Sequence, residues 1–309
     1  MSGVIRLGLV GLGKIARDQH LPAIAATSGI DLVAVASHNG KADGLPNYPD
    51  LETMLAAGPG LDAVVMCQPP QARYAAARAA LCAGKHVFLE KPPGATLSEV
   101  EALVALAREQ GLTLFASWHS REAAAVPKAR DWLADKKIRS ATITWKEDVR
   151  IWHPGQKWIW QPGGFGVFDP GINALSILTH ILPEPVRLTA ARLEVPANCA
   201  APIAAQLAME TASGAAIAAS FDFRQTGPQS WDIRVDTDAG ELLLAHGGNV
   251  LTIDGAGFAA PPEREYPALY RQFVDLVAAG ASDVDLAPLR LVADAFMCGE
   301  PIRTDPFHE

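Results

Sequence analysis

Short apolar segments alternate with helical patterns over the first 120 residues. The segments Gln71–Ala83 and Leu97–Glu109 carry apolar residues at helical spacing. Five runs predict buried strands: Ile5–Val10, Leu32–Ser37, Ala63–Gln68, His86–Lys91 and Leu112–Trp118. Strands that alternate with helices predict a parallel sheet covered on both faces. The link after the second strand differs from the others, because its nine residues, His38–Pro46, are too few for a crossover helix before Asn47.

The pattern changes after Ser120. A helix over about Glu122–Ala134 precedes Arg139–Val149, which alternates apolar and polar residues by two. Turn-forming residues then separate strand-like runs at Val186–Val195, Ile203–Met209, Ala215–Phe223, Trp231–Thr237, Gly240–Ala245 and Val250–Ile253. Helical patterns at Ala268–Ala279 and Ala287–Met297 close the chain.

These patterns predict an α/β protein of two domains. Residues 1–120 form a Rossmann-type doubly wound parallel sheet, and residues 121–309 form an α+β domain with a large, mostly antiparallel open sheet. The last helices are candidates to pack back on the first domain. A chain of 309 residues exceeds one ordinary core, which agrees with this division.

Composition narrows the class of protein. Hydrophobic residues make up 49% and charged residues 19%, which indicates a folded chain, and the net charge of −8 disfavours nucleic acid and anionic membranes as partners. No apolar stretch has the length of a bilayer span, and Val4–Val10 contains Arg6, unlike a signal peptide. Widely spaced cysteines predict buried thiols rather than disulfides or a metal site: Cys67, Cys82, Cys199 and Cys298. We expect a cytoplasmic protein.

The sequence Gly11-x-Gly13-x-x-Ala16 lies between the first strand and a helix. Gly11 permits a tight turn, Gly13 lets the backbone approach a pyrophosphate, and Ala16 lets the helix pack on the sheet. This context predicts a dinucleotide site, with Lys14 and Ile15 in the loop among the cofactor contacts.

Further polar residues follow the strands, at the edge where parallel sheets bind ligands. The second strand ends at Ser37-His38, with neither a carboxylate that excludes NADP nor an arginine that demands it, so dual use of NAD and NADP is expected. The alternative is that Ser37 and His38 are ordinary loop residues without a role in cofactor binding. The other residues predicted at this edge are Gln68, Pro69, Glu90, Lys91 and His119.

Residues 145–173 combine aromatic and hydrogen-bonding side chains. Four of the seven tryptophans lie in its first sixteen positions, interleaved with Glu147 and His153. Aromatic faces beside polar groups suit a sugar, although tryptophans could also anchor a long loop. Trp152 and Trp231 are included in the predicted substrate-binding set.

Two carboxylates stand out within this segment. Glu147 shares a strand face with Ile143 and Trp145, so it is expected to be buried against a substrate hydroxyl or in a salt bridge. Asp169 precedes a proline, which predicts a helix N-cap, and Asn173 lies one turn further on.

These motifs resemble the Gfo/Idh/MocA family (glucose–fructose oxidoreductase, inositol dehydrogenase, rhizopine catabolism). The resemblance covers essentially the whole chain, and it rests on the glycine loop, on Glu90-Lys91-Pro92 and on the segment Gly163–Asn173. Longer stretches, such as Trp145-Lys146-Glu147-Asp148 and Phe168-Asp169-Pro170-Gly171-Ile172-Asn173, are similar to bacterial L-arabinose and D-galactose 1-dehydrogenases.

The resemblance implies oxidation of an aldose at C1 to the lactone, with hydride transfer to NAD or NADP. It implies that Lys91 lies near the nicotinamide, while Glu147, His153, Asp169 and Asn173 line the sugar site. Much of the family has histidine where this chain has Asn173, whose amide cannot act as a base. Proton removal is therefore expected from Asp169 or Lys91. The alternatives to this function are another polyol or inositol dehydrogenase and a nucleotide-sensing regulator without turnover.

A homodimer through the second sheet is also expected.

Overall fold

The computed structural model describes residues 3–58, 60–259 and 265–308. Two compact units divide the chain: Met1–His119 with Glu265–Asp285, and Ser120–Arg264 with Leu286–Glu309. The segment Glu265–Asp285 therefore returns to the first unit after the chain has built most of the second.

The strands and helices are as follows. The strands are β1 (Ile5–Val10), β2 (Ile30–Ala36), β3 (Asn47–Tyr48), β4 (Ala63–Met66), β5 (His86–Glu90), β6 (Leu114–Ser117), β7 (Ile138–Lys146), β8 (Val186–Pro196), β9 (Ala204–Thr211), β10 (Ala216–Asp222), β11 (Ser230–Thr237), β12 (Gly240–Ala245), β13 (Val250–Ile253), β14 (Ala256–Phe258) and β15 (Glu300–Thr304). The helices are α1 (Leu21–Ala25), α2 (Leu51–Ala57), α3 (Arg73–Cys82), α4 (Leu97–Gln110), α5 (Val126–Leu133), α6 (Val149–Trp152), α7 (Phe168–Ile181), α8 (Glu265–Ala279) and α9 (Ala287–Cys298). Among the described helices, none is long and apolar enough to cross a membrane.

The first unit is a parallel six-stranded sheet in the order β3-β2-β1-β4-β5-β6. Alternate strand residues enter two different cores. Leu7 and Leu9 of β1 belong to a cluster with Phe273 of α8, whereas Val10 belongs to a cluster with Leu103 of α4. Helices thus cover both faces, which confirms the predicted doubly wound sheet. The link after β2 contains no helix, and β3 pairs with β2 over two residues only.

The second unit is a nine-stranded sheet in the order β14-β13-β12-β11-β7-β10-β9-β8-β15. Only β10 with β7 and β15 with β8 are parallel among its described pairs, so the prediction of a mostly antiparallel sheet is confirmed. The short strands β14 and β15 were not predicted. The buried strand positions face α5, α7 and α9, while alternate residues such as Thr142 and Ala218 are exposed.

The prediction of buried thiols is wrong for two cysteines. Cys82 and Cys298 are exposed, because each ends its helix beyond that helix's last buried residue, which is Leu81 in α3 and Ala295 in α9. Cys67 and Cys199 are half-buried.

Candidate active site

The glycine loop follows β1 directly. Gly11 has a φ of 92°, and a Cβ atom there would lie 2.9 Å from the backbone nitrogen of Gln68. The Gly11 N–H donates to the carbonyl of Ala36 at 2.8 Å, so the loop passes between the ends of β2 and β4. A Cβ at Gly13 would meet no described atom within 4 Å, which leaves this backbone open to approach. A dinucleotide-binding loop requires both properties.

The helical segment after the loop packs against the sheet through small side chains. Ala16 is fully buried and begins a π-helical turn that leads into α1, whereas Lys14 and Ile15 are exposed. Lys14 forms an ion pair with Asp18. The residues of the loop therefore fit a dinucleotide, whose phosphates would meet the open backbone at the start of this segment.

The residues after β2 have the predicted location. The Ser37 hydroxyl accepts a hydrogen bond from the Leu12 N–H at 3.3 Å, and His38 is exposed. Sequence reasoning missed Arg17, whose guanidinium donates to the Lys41 carbonyl at 3.3 Å and thus lies beside the same loop. Its place directly after Ala16 in the fingerprint was the available signal.

A buried arginine connects the ends of β4 and β5. The Arg73 guanidinium donates to the backbone carbonyls of Gln68, Glu90 and Pro92. These contacts hold the chain on both sides of Lys91. The Gln68 Oε1 atom is buried without a hydrogen-bond partner among the described residues, and a bound cofactor would offer it a donor.

Glu90 is the centre of a buried polar network. Its Oε1 atom accepts from His20 Nε2 at 3.1 Å and from the Tyr266 hydroxyl at 2.7 Å, and its Oε2 atom accepts from the Lys91 backbone N–H at 2.6 Å. The other nitrogen of His20 lies 2.7 Å from the Tyr270 hydroxyl. Two residues of α8 thereby complete the surroundings of the segment that carries Lys91.

The charges in this network are paired. Burial raises the pKa of the Glu90 carboxyl, but the hydrogen bond and charge of His20, together with the charges of His119 and Lys91, lower that pKa to about 2. Burial opposes a charge on His20, yet Cys67 and Glu90 raise its pKa to about 10. Burial raises the pKa values of Tyr266 and Tyr270, so both hydroxyls stay protonated. A buried ion pair therefore lies behind Lys91 at neutral pH.

Lys91 and His119 are the remaining predicted site residues of the first unit. Lys91 is half-buried, directly after β5. His119 Nδ1 lies 2.6 Å from Glu265 Oε2, and the imidazole stacks on Tyr266 with ring centroids 5.4 Å apart. Both residues therefore adjoin the network around Glu90.

In the second unit, Glu147 follows β7 and is buried, as its register predicts. Its Oε2 atom accepts a hydrogen bond from Trp231 Nε1 at 2.9 Å. Trp152 packs edge-on against Trp231 with centroids 5.4 Å apart, and its side chain is still 46% exposed. The structure thus brings the Glu147 carboxylate together with two indoles, one of which, Trp231, is 84 residues away in the chain.

His153 connects Glu147 to Asp169. Its Nε2 atom lies 3.3 Å from Glu147 Oε1, and its Nδ1 atom lies 3.4 Å from Asp169 Oδ2. These are ion-pair distances rather than short hydrogen bonds. Both carboxylates are only 7% exposed and the imidazole 15%. Three predicted site residues therefore form one acidic cluster.

The predicted N-cap role of Asp169 is wrong. Helix α7 begins one residue earlier, at Phe168, and its N-cap is Val167, which makes no capping hydrogen bond through its side chain. Pro170 is tolerated because the first N–H groups of a helix have no partner within the helix. Asp169 instead directs its carboxylate at His153, and half-buried Asn173 follows one turn later on α7.

Fold and site together define a class of enzyme: an oxidoreductase with a dinucleotide-binding parallel sheet and a second unit that carries an acidic cluster. Residues 5–117 match the Gfo/Idh/MocA family, described as an oxidoreductase family with an NAD-binding Rossmann fold. The chain is 48% identical over 305 residues to a galactose 1-dehydrogenase from Pseudomonas fluorescens, and the aligned region covers 99% of each protein.

Solved structures give the same result. A D-galactose-1-dehydrogenase from Rhizobium etli superposes with a TM-score of 0.95 at 58% identity, over 100% of this chain and 99% of that one. A 3-ketoreductase from Actinomadura kijaniata, solved with NADP and TDP-benzene, shares the fold with a TM-score of 0.83 at 20% identity, over 97% of this chain and 99% of that one. The chain belongs to the Gfo/Idh/MocA oxidoreductase family. Its cofactor is NAD or NADP.

Proposed function

We propose that the chain is an NAD(P)-dependent aldose 1-dehydrogenase that oxidises the anomeric C1 hydroxyl of D-galactose, L-arabinose or both to the lactone. The observation that carries the proposal is similarity to two galactose 1-dehydrogenases over at least 99% of each chain. The two sugars differ by one hydroxymethyl group, so one site could accept both.

The cofactor residues are assigned by their places around the glycine loop. Gly11, Gly13, Lys14 and Ile15 would hold the pyrophosphate. Ser37 and His38 would meet the adenosine ribose. Those on the nicotinamide side would be Gln68, Pro69, Glu90 and Lys91.

In the proposed reaction, C1 loses a hydride and its hydroxyl loses a proton, which leaves the lactone carbonyl. Bound NAD(P)⁺ supplies the hydride acceptor. Asp169 is the base that its surroundings favour, because a histidine faces the buried carboxylate at 3.4 Å. Lys91 is the second candidate. An anomeric hydroxyl is more acidic than an ordinary alcohol, so a carboxylate suffices.

We assign the sugar contacts to polar and aromatic side chains that the sequence predicted as substrate-binding residues. Glu147 would accept from a sugar hydroxyl, Asn173 would donate to one, and the exposed indole of Trp152 would cover a C–H face. Trp231 holds Glu147 in place. The sequence also predicted His119 as a substrate-binding residue. The sequence also predicted His153 for this set, and its two ring nitrogens lie beside Glu147 and Asp169.

A turnover panel tests the proposal: D-galactose, L-arabinose, other aldoses and inositols, each with NAD and with NADP. We expect NAD(P)H formation with D-galactose or L-arabinose and a lactone as the product. Turnover of inositols alone would show a polyol dehydrogenase. Cofactor binding without turnover of any sugar would show a nucleotide-sensing regulator. Either result would overturn the proposal.

We also propose that a second copy of this chain covers the outer face of the nine-stranded sheet. In the register of β7, β10 and β9, the exposed residues Thr142, Ala218 and Ala208 form one row of small side chains. This row lies between Arg234 of β11 and Ala190 of β8, and in a symmetric dimer the same patch of both copies would meet. Light scattering at micromolar concentration should give the mass of a dimer, and a monomer would contradict the proposal.

A further inference from the structure

Both ring nitrogens of His153 face acids of its own chain. Nε2 lies 3.3 Å from Glu147 Oε1 and Nδ1 lies 3.4 Å from Asp169 Oδ2, while the ring packs against Phe223 with centroids 5.5 Å apart. In this arrangement the imidazole directs its polar atoms at the protein rather than at a ligand. Its position therefore bears first on the charge of the two carboxylates.

A count of protons defines the charge of this cluster. A neutral imidazole has one N–H and one lone pair, so one of its nitrogens would face an ionised carboxylate with a lone pair. An imidazolium presents an N–H to each carboxylate. The Trp231 N–H, 2.9 Å from Glu147 Oε2, adds a further donor. When both acids are ionised and His153 carries two protons, a positive charge therefore faces a negative charge at both contacts.

We infer that His153 is a positioning residue that keeps Glu147 and Asp169 ionised at the same time. It thereby maintains Asp169 as an acceptor for the C1 proton and Glu147 as an acceptor for a sugar hydroxyl. The inference rests on the proposed function, since it concerns how the proposed base is kept ready.

The absence of the imidazolium would have a defined consequence. Two buried carboxylates of like charge would then share one small volume, and such pairs retain a proton because the pKa of one member rises. At neutral pH one of the two acids would be protonated. Turnover would need a higher pH to bring both acids back to the ionised form.

The test is the pH profile of kcat for His153→Gln at saturating sugar and cofactor. We expect kcat at pH 7 to fall by about ten-fold or more, and the midpoint of the acid limb to rise by about one pH unit or more. The deficit should shrink as the pH rises. In Glu147→Gln with His153→Gln, only Asp169 remains, so the midpoint should return toward that of the wild type. His308→Gln, an exposed histidine of the same unit, is the matched control and should keep the wild-type profile.

Two outcomes would overturn the inference. A loss of kcat that is equal at every pH would show a structural role, and a raised KM with an unchanged kcat profile would show a sugar ligand. The ¹⁵N spectrum of the histidine-labelled wild-type enzyme tests the same point without activity. Two protonated nitrogens are expected for His153 at pH 7, and a neutral tautomer would contradict the inference even if Asp169 proves to be the base.

Discussion

His20 in the first unit and His153 in the second each lie between two polar groups, yet their surroundings differ. His20 is fully buried, and its partners are one carboxylate and one hydroxyl at 3.1 and 2.7 Å. His153 is 15% exposed and faces two carboxylates at 3.3 and 3.4 Å. The first cluster balances one positive charge with one negative charge. The second has an excess of negative charge.

This difference separates a supporting network from a reactive one. The group around His20 is closed and complete, which suits a rigid support for the backbone of Lys91. The group around His153 is looser and reachable from solvent, so its protonation can change when a substrate binds. Such a cluster suits proton transfer, whereas the first suits stability.

The largest expected effect is on stability and comes from Glu90→Gln. The change removes the anion that pairs with buried His20, and it leaves Tyr266 and the Lys91 N–H with an amide in place of a carboxylate. We expect the free energy of unfolding at pH 7 to fall by about 3 kcal/mol, measured by urea denaturation. Asp135→Asn, in an exposed ion pair with Lys136, should cause no measurable change.

The pH dependence of stability also tests whether the ion pair of Glu90 and His20 stabilises the protein. The pKa of Glu90 is lowered to about 2, so its contribution is present above its unfolded value near 4.5 and is lost as the pH falls toward 2. The pKa of His20 is raised to about 10, so its contribution is present below 6.5 and is lost as the pH rises toward 10. The difference between wild type and Glu90→Gln should therefore shrink on both sides of this window. A constant difference would show that the ion pair is not its cause.

The order of elements and the glycine loop could be predicted because each depends on a short stretch of sequence. The strand period placed Glu147 in the interior, and the strand ends placed Lys91 at the ligand edge of the sheet. The network behind Lys91 could not be predicted, because Tyr266 is 176 residues from Glu90 in the chain. Arg73 was missed for a related reason: it binds backbone carbonyls, which leave no mark in the sequence.

Asp169→Asn should cause the largest loss of rate. The amide keeps the shape but cannot accept a proton, so kcat should fall by about a hundred-fold or more in steady-state assays. Asn173→Ala, one turn away on the same helix, is the matched control and should act mainly on KM. Near wild-type kcat for Asp169→Asn would leave Lys91 as the base, and Lys91→Met would then be the variant that abolishes turnover.

The smallest expected effect concerns the cofactor. For the wild type, kcat/KM with NAD and with NADP should differ by less than about a hundred-fold, because the residues directly after β2, Ser37–Asn39, include no carboxylate. His38→Asp adds one and should shift the preference toward NAD in assays with each cofactor. Unchanged use of NADP would place the 2′-phosphate elsewhere, and Arg17 beside the Lys41 carbonyl would then be the next residue to change.

If hydride leaves C1 of the aldose, an isotope placed at C1 must pass to the nicotinamide. The enzyme would be given D-galactose that carries deuterium at C1, with NAD or NADP, and the reduced cofactor would be analysed by mass spectrometry. We expect one deuterium in the reduced cofactor, a galactonolactone as the product and a slower turnover than with unlabelled sugar. Reduced cofactor that contains no deuterium would show that the hydride comes from another carbon, which would contradict oxidation at C1.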